Sequence, residues 1–310
     1  MSAAVQTPTE KGDVAKSGTR LPGLLLGLVR AVRPRQWVKN LLVAAVPLAA
    51  GEIGDRHVIY HTALAFAAFT ITASGVYLIN DVRDMAEDRN HPTKQNRPIA
   101  SGVVPPAVAL VTGIVALTAG VVLGLVTLSP TFAAVVGGYA AISLAYCFWL
   151  KHEPVIDLGV IASGFLLRAM AGGVATELPM SVWFLMVASF GSLFIAAGKR
   201  YSEIHMAGPG NASTRRSLAR YSASYLRFVW GLAASVTITT YGLWAFEMYD
   251  RTRLAWAPLS LAPFVLGLLR YAMDVDSGSA GAPEEIAFSD RALQGLGALW
   301  LVTVLVGVSS

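Results

Sequence analysis

Charge is what this sequence most lacks. Asp, Glu, Lys and Arg together make up 14% of its 310 residues, where a soluble domain carries about a quarter. That deficit excludes an ordinary water-soluble domain. Cysteine is nearly missing too. The single Cys147 sits inside an apolar run, so no internal disulfide can form and the redox compartment stays open. The five histidines show no metal-ligand spacing, and none is assigned chemistry. Gly- or Pro-broken spans at matching places in two halves, a transporter pattern, are also scarce.

Apolar residues are in excess, at 55% of the chain, with a mean hydropathy of +0.56. They fall in long blocks, and blocks of about 18 or more residues can cross a bilayer core as helices. Backbone groups without water must be satisfied internally, which leaves helix as the only reasonable assignment. The expected fold is all-α and polytopic. Nine spans are predicted near residues 37–54, 58–79, 106–128, 131–150, 155–175, 181–198, 228–248, 255–272 and 291–308.

Orientation follows from the basic residues. With the N-terminus in the cytosol, all 24 Lys and Arg lie on the inner side except Arg56, Arg251 and Arg253 outside and Arg168 within a span. Nine spans then put the C-terminus outside. The net charge of +5 therefore reads as a topology signal, and no nucleic-acid partner is expected. Residues 1–20 are polar and read as a mobile cytosolic tail rather than a signal peptide. Residues 21–36 mix leucines with Arg30, Arg33 and Arg35, which suits an amphipathic helix in the headgroup layer. Residues 37–310 form a single transmembrane domain. Two long inner connections begin at Asn80 and Lys199, and loops of that length are commonly functional. The last inner connection, after Asp276, reads as a flexible linker.

The strongest chemical signal follows the second span: Asn80-Asp81-Val82-Arg83-Asp84-Met85-Ala86-Glu87-Asp88. On a continuous helix Asp81, Asp84 and Asp88 project from one face. Three carboxylates on one face repel one another unless a cation sits among them. Mg²⁺ suits such a site, because it takes oxygen ligands and completes its shell with water and substrate phosphates. The plainer alternative is a solvated helix end with Arg83 and Arg89 as partners.

This run matches N-D-x-x-D-x-x-x-D, and on it the chain resembles the UbiA superfamily of intramembrane prenyltransferases from about residue 30 onward. The resemblance implies a UbiA-type bundle with cytosolic cap loops. It also implies that Asp81 and Asp84, supported by Asn80 and Asp88, hold Mg²⁺ bridged to a diphosphate. The family's second acidic motif is replaced here by Gly198-Lys199-Arg200-Tyr201-Ser202-Glu203. One acid and two cations put a second metal in doubt and make direct phosphate binding plausible. A simple Lys199–Glu203 helix pair is the alternative.

Further runs resemble one branch, the decaprenyl-phosphate phosphoribosyltransferases of mycobacteria and relatives. They are Arg33-Pro34-Arg35-Gln36-Trp37-Val38-Lys39-Asn40, Asn96 to Gly102, Tyr146 to Lys151 ahead of Asp157, Lys199-Arg200-x-x-Glu203, and Arg215 to Ser222. The branch implies transfer of 5-phosphoribose from phosphoribosyl diphosphate (PRPP) to a polyprenyl phosphate, in the supply of cell-wall arabinan precursors. The expected substrate contacts are Lys39, Asn40, Arg83, Lys94, Arg97, Tyr146, Lys151, Asp157, Arg168, Lys199, Arg200, Tyr201 and Glu203. Basic residues at inner helix ends are also what topology alone requires. Arg168, near mid-membrane, must face the bundle interior or a wet cavity. There it either reaches a phosphate or pairs with an acid elsewhere. An aromatic prenyltransferase of the same superfamily is the nearest rival function, and a transporter a more distant one. A homo-oligomer is left open.

Overall fold

The computed structural model describes residues 21–207, 220–252, 255–277, 286 and 289–308. Among the described residues it contains helices and no strand. In chain order the α-helices are α1 (Leu21–Ala31), α2 (Ala45–Ala49), α3 (Arg56–Arg83), α4 (Met85–Arg89), α5 (Pro106–Thr127) and α6 (Pro130–Phe148). They continue as α7 (Ile156–Thr176), α8 (Val182–Ala207), α9 (Ala223–Thr252), α10 (Trp256–Leu259), α11 (Leu261–Asp276) and α12 (Arg291–Val308). Eight spans among the described residues are long and apolar enough to cross a bilayer, with α10 and α11 forming one of them. They coincide with the second to ninth expected blocks.

The first block is built differently. A 3-10 helix, Pro34–Ala44, runs directly into the short α2. Because 3-10 helix rises about 2.0 Å per residue against 1.5 Å for α-helix, the two together cover about 30 Å, the thickness of a bilayer core. Long 3-10 runs are uncommon, and side-chain contacts hold this one. Asn40 is fully buried and donates to Thr70 on α3 at 3.0 Å. The backbone of Val43 lies directly on α7, where a Cβ at Gly172 would stand 1.8 Å from the Val43 carbonyl oxygen. Only glycine permits that approach.

Helix α3 is the central post. Its neighbour α5 lies close enough that a Cβ on Gly120 would overlap Thr72 and the Ala68 carbonyl, the small-residue seam by which membrane helices pack without a hydrophobic drive. Ser129 caps α6 by accepting from the Phe132 N–H at 3.1 Å, with Pro130 in its first turn. The first half packs around Phe69, Phe132, Val136 and Tyr139. The second half packs around Phe194, Tyr201, Leu226, Trp230 and Tyr271.

Helix α1 ends at Ala31, short of the expected 36, because Arg33 adopts a left-handed conformation (φ 55) and Pro34 opens the 3-10 run. Ala31 and Gly27 face the folded loop at Ile99 and Val104. Leu21, Leu25, Leu26 and Val29 face outward. The expected tail 1–20 and most of the linker after Asp276 lie outside the described residues. So do Arg215, Arg216, Ser217 and Leu218, while α8 and α9 extend into the ends of the connection expected as loop.

Candidate active site

The last turn of α3 delivers Asp81 into the protein, 2% exposed. Asp84 then leaves helical geometry at φ −90, ψ 3, and α4 restarts behind it. The three acids are thus divided between two helices and a turn, rather than set on one continuous face. Their spacing survives because the Asp84 N–H still donates to the Asn80 carbonyl and the Asp88 N–H to the Asp84 carbonyl.

Three cations reach these acids from other parts of the chain. Arg33 pairs with Asp81 and lies over the Tyr77 ring, 5.4 Å from its centroid. Arg97 bridges Asp81 at 3.2 Å and Asp88 at 2.7 Å. Lys151 donates to Asp84 at 2.6 Å. Each cation has a local reason for its place. Arg33 is aimed by its left-handed backbone, which is costly for a non-glycine residue. Arg97 starts a loop closed by the Ser101 N–H to Arg97 carbonyl bond, by Gly102 at φ +83, and by Arg89 donating to the Ala100 carbonyl. Lys151 sits in the 3-10 turn Leu150–His152 that ends α6.

Beside this cluster a small cleft is lined by Asp84, Glu87, Asp88, His91, Lys94, Lys151 and His152. The His152 Nδ1 is buried there without a hydrogen-bond partner. Burial, and then the charge of Lys94, hold the His91 imidazole below the ordinary histidine range.

A second polar cluster lies where α6, α7 and α8 meet. Arg200 is fully buried and donates to Asp157 at 2.9 Å, to Glu203 at 2.5 Å and to the Tyr146 hydroxyl at 2.8 Å. Tyr221 donates to the other Asp157 oxygen and accepts from the Val155 N–H. Val155 itself has φ 68, an outlier for a β-branched residue. Burial, and then the bond to Asp157, raise the Tyr221 phenol above its usual range, so it stays a donor. Arg200 was expected to bind phosphate. Instead two carboxylates and a phenol enclose it.

Arg168 forms a third cluster. It donates to Asn40 at 2.8 Å, to the Tyr139 hydroxyl at 2.9 Å and to the Gly164 carbonyl at 2.6 Å. Its guanidinium also lies over the Tyr139 ring, 4.7 Å from the centroid. The alternative of an acid partner is not met among the described residues. Neutral acceptors and an aromatic face take the charge, and Asn40 is spent on this clamp.

Arg83 and Tyr201, both expected contacts, turn away from the aspartates. Arg83 points outward, exposed, because it is one residue and about 100° round the helix from Asp84. For the same reason Tyr201, next to Arg200, turns into the aromatic core, stacks with Trp230 and donates to Asp276 at 2.7 Å. Lys39 donates to Gln36, Lys199 is half-buried on α8, and Asn80 is half-buried beside Asp81. Sequence reasoning placed Arg33 only in the headgroup-layer helix, whereas it pairs with Asp81, and it assigned no role to Tyr221 or His152. Arg33 and Tyr221 lie inside runs already singled out, and a basic residue directly before Pro34 was a usable signal.

The donor set fits Mg²⁺. Asp81, Asp84, Asp88 and Asn80 offer hard oxygens, and guanidinium and ammonium groups stand among the carboxylates where a cation's charge is wanted. No group of three or more His, Cys, Asp or Glu side chains is gathered into a ready cage among the described residues. Mg²⁺ needs none, since it commonly takes one or two carboxylates and draws the rest from water and substrate phosphate.

An apolar cavity of about 540 Å³ lies among the 3-10 segment, α2, α7, α8, α9, α11 and α12, lined by residues such as Leu42, Phe165, Ala188, Tyr241, Gly297 and Trp300. Comparison with known proteins agrees with this architecture. A UbiA homologue from Archaeoglobus fulgidus, solved with DMAPP and Mg²⁺, superposes with a TM-score of 0.72 at 17% identity, covering 91% of this chain and 99% of that one. Decaprenyl-phosphate phosphoribosyltransferase of Mycobacterium tuberculosis (strain CDC 1551 / Oshkosh) is 50% identical over 294 residues, covering 92% of this chain and 95% of the relative. Its counterpart from Mycolicibacterium smegmatis is 48% identical, covering 91% and 92%. Residues 40–289 match the UbiA prenyltransferase family as a whole, and on that match, these relatives and the bundle itself, the chain belongs to the UbiA prenyltransferase family.

Proposed function

We propose that this enzyme transfers 5-phosphoribose from PRPP to a polyprenyl phosphate of the decaprenyl class, releasing diphosphate. The observation that carries the reading is Arg200, buried between Asp157 and Glu203 where the superfamily pattern has a second acidic motif. A guanidinium there leaves one acidic site, which suits a phosphosugar donor rather than a diphosphate gripped by two metal clusters. The identity to decaprenyl-phosphate phosphoribosyltransferases over nearly the whole chain supports it.

Asp81 and Asp84 would hold the metal, with Asn80 and Asp88 in support. When bound, Mg²⁺ neutralises charge on the leaving diphosphate. Lys94, Arg97 and Lys151 flank the acids and suit phosphate oxygens, the arginine in a bidentate fork and the lysines as point charges. The lipid phosphate is already an anion, so it attacks C1 of the ribose without losing a proton. Its oxygen forms the new bond to C1 as the diphosphate departs with the electron pair of the old one. Attack opposite the leaving group inverts the anomeric centre, giving a β-linked product from an α-diphosphate. No general base is required.

The polyprenyl chain takes the apolar cavity, and the active site and N-terminus face the cytosol with the C-terminus outside. Purified protein given Mg²⁺, PRPP and decaprenyl phosphate is expected to form a phosphoribosyl lipid, and to stop when EDTA removes the metal. No such product, together with turnover of an isoprenyl diphosphate and a phenolic acid, would move the chain to the aromatic prenyltransferases.

The cavity makes its own prediction. Gly297 lines it, and a Cβ there meets nothing within 4 Å, so Gly297→Phe fills space without a clash at its first carbon. Excluding a few methylenes from the cavity, at about 0.8 kcal/mol each, raises KM for decaprenyl phosphate by about tenfold or more. KM for a two-isoprene phosphate stays near the wild-type value. Equal effects on both lipids would place the chain elsewhere.

A further inference from the structure

We infer that Arg33, Arg97 and Lys151 are exchangeable counter-ions, which neutralise Asp81, Asp84 and Asp88 until a metal–diphosphate arrives and then transfer to its phosphate oxygens. Metal and donor consequently bind as one unit, and metal alone binds poorly. This rests on the reading of the three acids as the donor's metal site.

The charges balance pair by pair. Three carboxylates face three cations, and Arg33, Arg97 and Lys151 make their ion pairs, among the described residues, to these acids alone. Asp81 is engaged from two directions, by Arg33 and Arg97. Lys151 and Asp84 meet with side chains 6% and 14% exposed, so water and salt screen the pair little. A divalent ion entering by itself must evict Arg97 or Lys151 from the oxygens it needs. Among the described residues Lys151 makes no ion pair besides Asp84, and Arg97 displaced from Asp81 keeps only Asp88, so a metal entering alone leaves like charges close together in a poorly screened site. A diphosphate removes that obstacle. It brings its own anionic oxygens, which guanidinium and ammonium groups accept as readily as carboxylates. By linkage, the metal must then tighten donor binding by the same factor as the donor tightens metal binding.

The test uses the full-length protein in lipid nanodiscs. Wild type is expected to bind Mn²⁺ weakly when it is offered alone and followed by electron paramagnetic resonance. Arg97→Gln and Lys151→Met, each removing a competitor, should bind Mn²⁺ alone about tenfold tighter, within the usual range of coupling between sites. The same variants should bind radiolabelled pyrophosphate, in the presence of Mg²⁺, about tenfold weaker than wild type. Opposite signs are the signature, since a variant damaged in its fold weakens both. Tight binding of Mn²⁺ alone by wild type, or weakening of both ligands by both folded variants, overturns the exchange. A wild type that binds pyrophosphate equally with and without Mg²⁺ overturns the underlying metal-site reading instead.

Discussion

Asp84→Asn is expected to lower kcat by about a hundred- to a thousandfold, the usual cost of losing one preorganised electrostatic contact to the transition state. The fold should survive. Asp84 is the most accessible of the three acids, and an asparagine keeps an oxygen to accept from Lys151, which donates to Asp84 at 2.6 Å. What disappears is one negative charge at the position proposed to hold the metal against the leaving diphosphate. KM for the lipid should change little, because the polyprenyl chain is proposed to take the apolar cavity, whose lining includes none of the three acids. Turnover measured with radiolabelled PRPP, beside size-exclusion profiles of the variant, checks both halves of the expectation. A folded Asp84→Asn enzyme within about tenfold of wild type would contradict the metal assignment, because so small a loss is below what such contacts contribute. Asp81→Asn is a less clean test. It also strips Arg33 and Arg97 of a buried partner, mixing a stability loss with the catalytic one.

The largest effect on stability is expected at Asp157. Its carboxylate is fully buried and holds Arg200 and Tyr221 together. Asp157→Ala leaves a buried guanidinium with one carboxylate and one phenol, and leaves the Tyr221 hydroxyl without its acceptor. Removing one partner of a buried ion pair costs about 3–5 kcal/mol. The variant should yield little monodisperse protein on fluorescence-detected size exclusion, and a lower melting midpoint in what survives. The double variant Asp157→Leu with Arg200→Met should recover much of the loss, since an apolar pair removes both desolvated charges at once. Independent, additive losses at the two positions would mean that Asp157 and Arg200 are not coupled as their geometry implies.

Several features were legible from single residues and their spacing. The apolar blocks gave the helical class and eight spans to within a few residues at most ends. Asp81, Asp84 and Asp88 drew attention by their spacing at the end of a span, and Asn80, Arg97 and Lys151 by the runs that carry the family resemblance. Other features were hidden for a local reason. The 3-10 course of Pro34–Ala44 depends on Asn40 meeting Thr70 and Arg168, and on bare backbone at Gly172, none of which hydropathy registers. Arg200 looked like a phosphate ligand because it and Lys199 stand where the resembled family has a second acidic motif. Its actual neighbours, Asp157 and Tyr146, are 43 and 54 residues away.

The sequence by itself determined that this protein spans a membrane as helices, and which acids it places at the end of one of them. Those properties follow from hydrophobicity and helical period, both of which act over a few turns. Tertiary structure alone decided which cations answer those acids, that Arg200 is enclosed rather than offered to a phosphate, and that Arg168 clamps the first segment. Each of these is a pairing across tens of residues, and a charge takes its partner from whatever helix packing brings beside it.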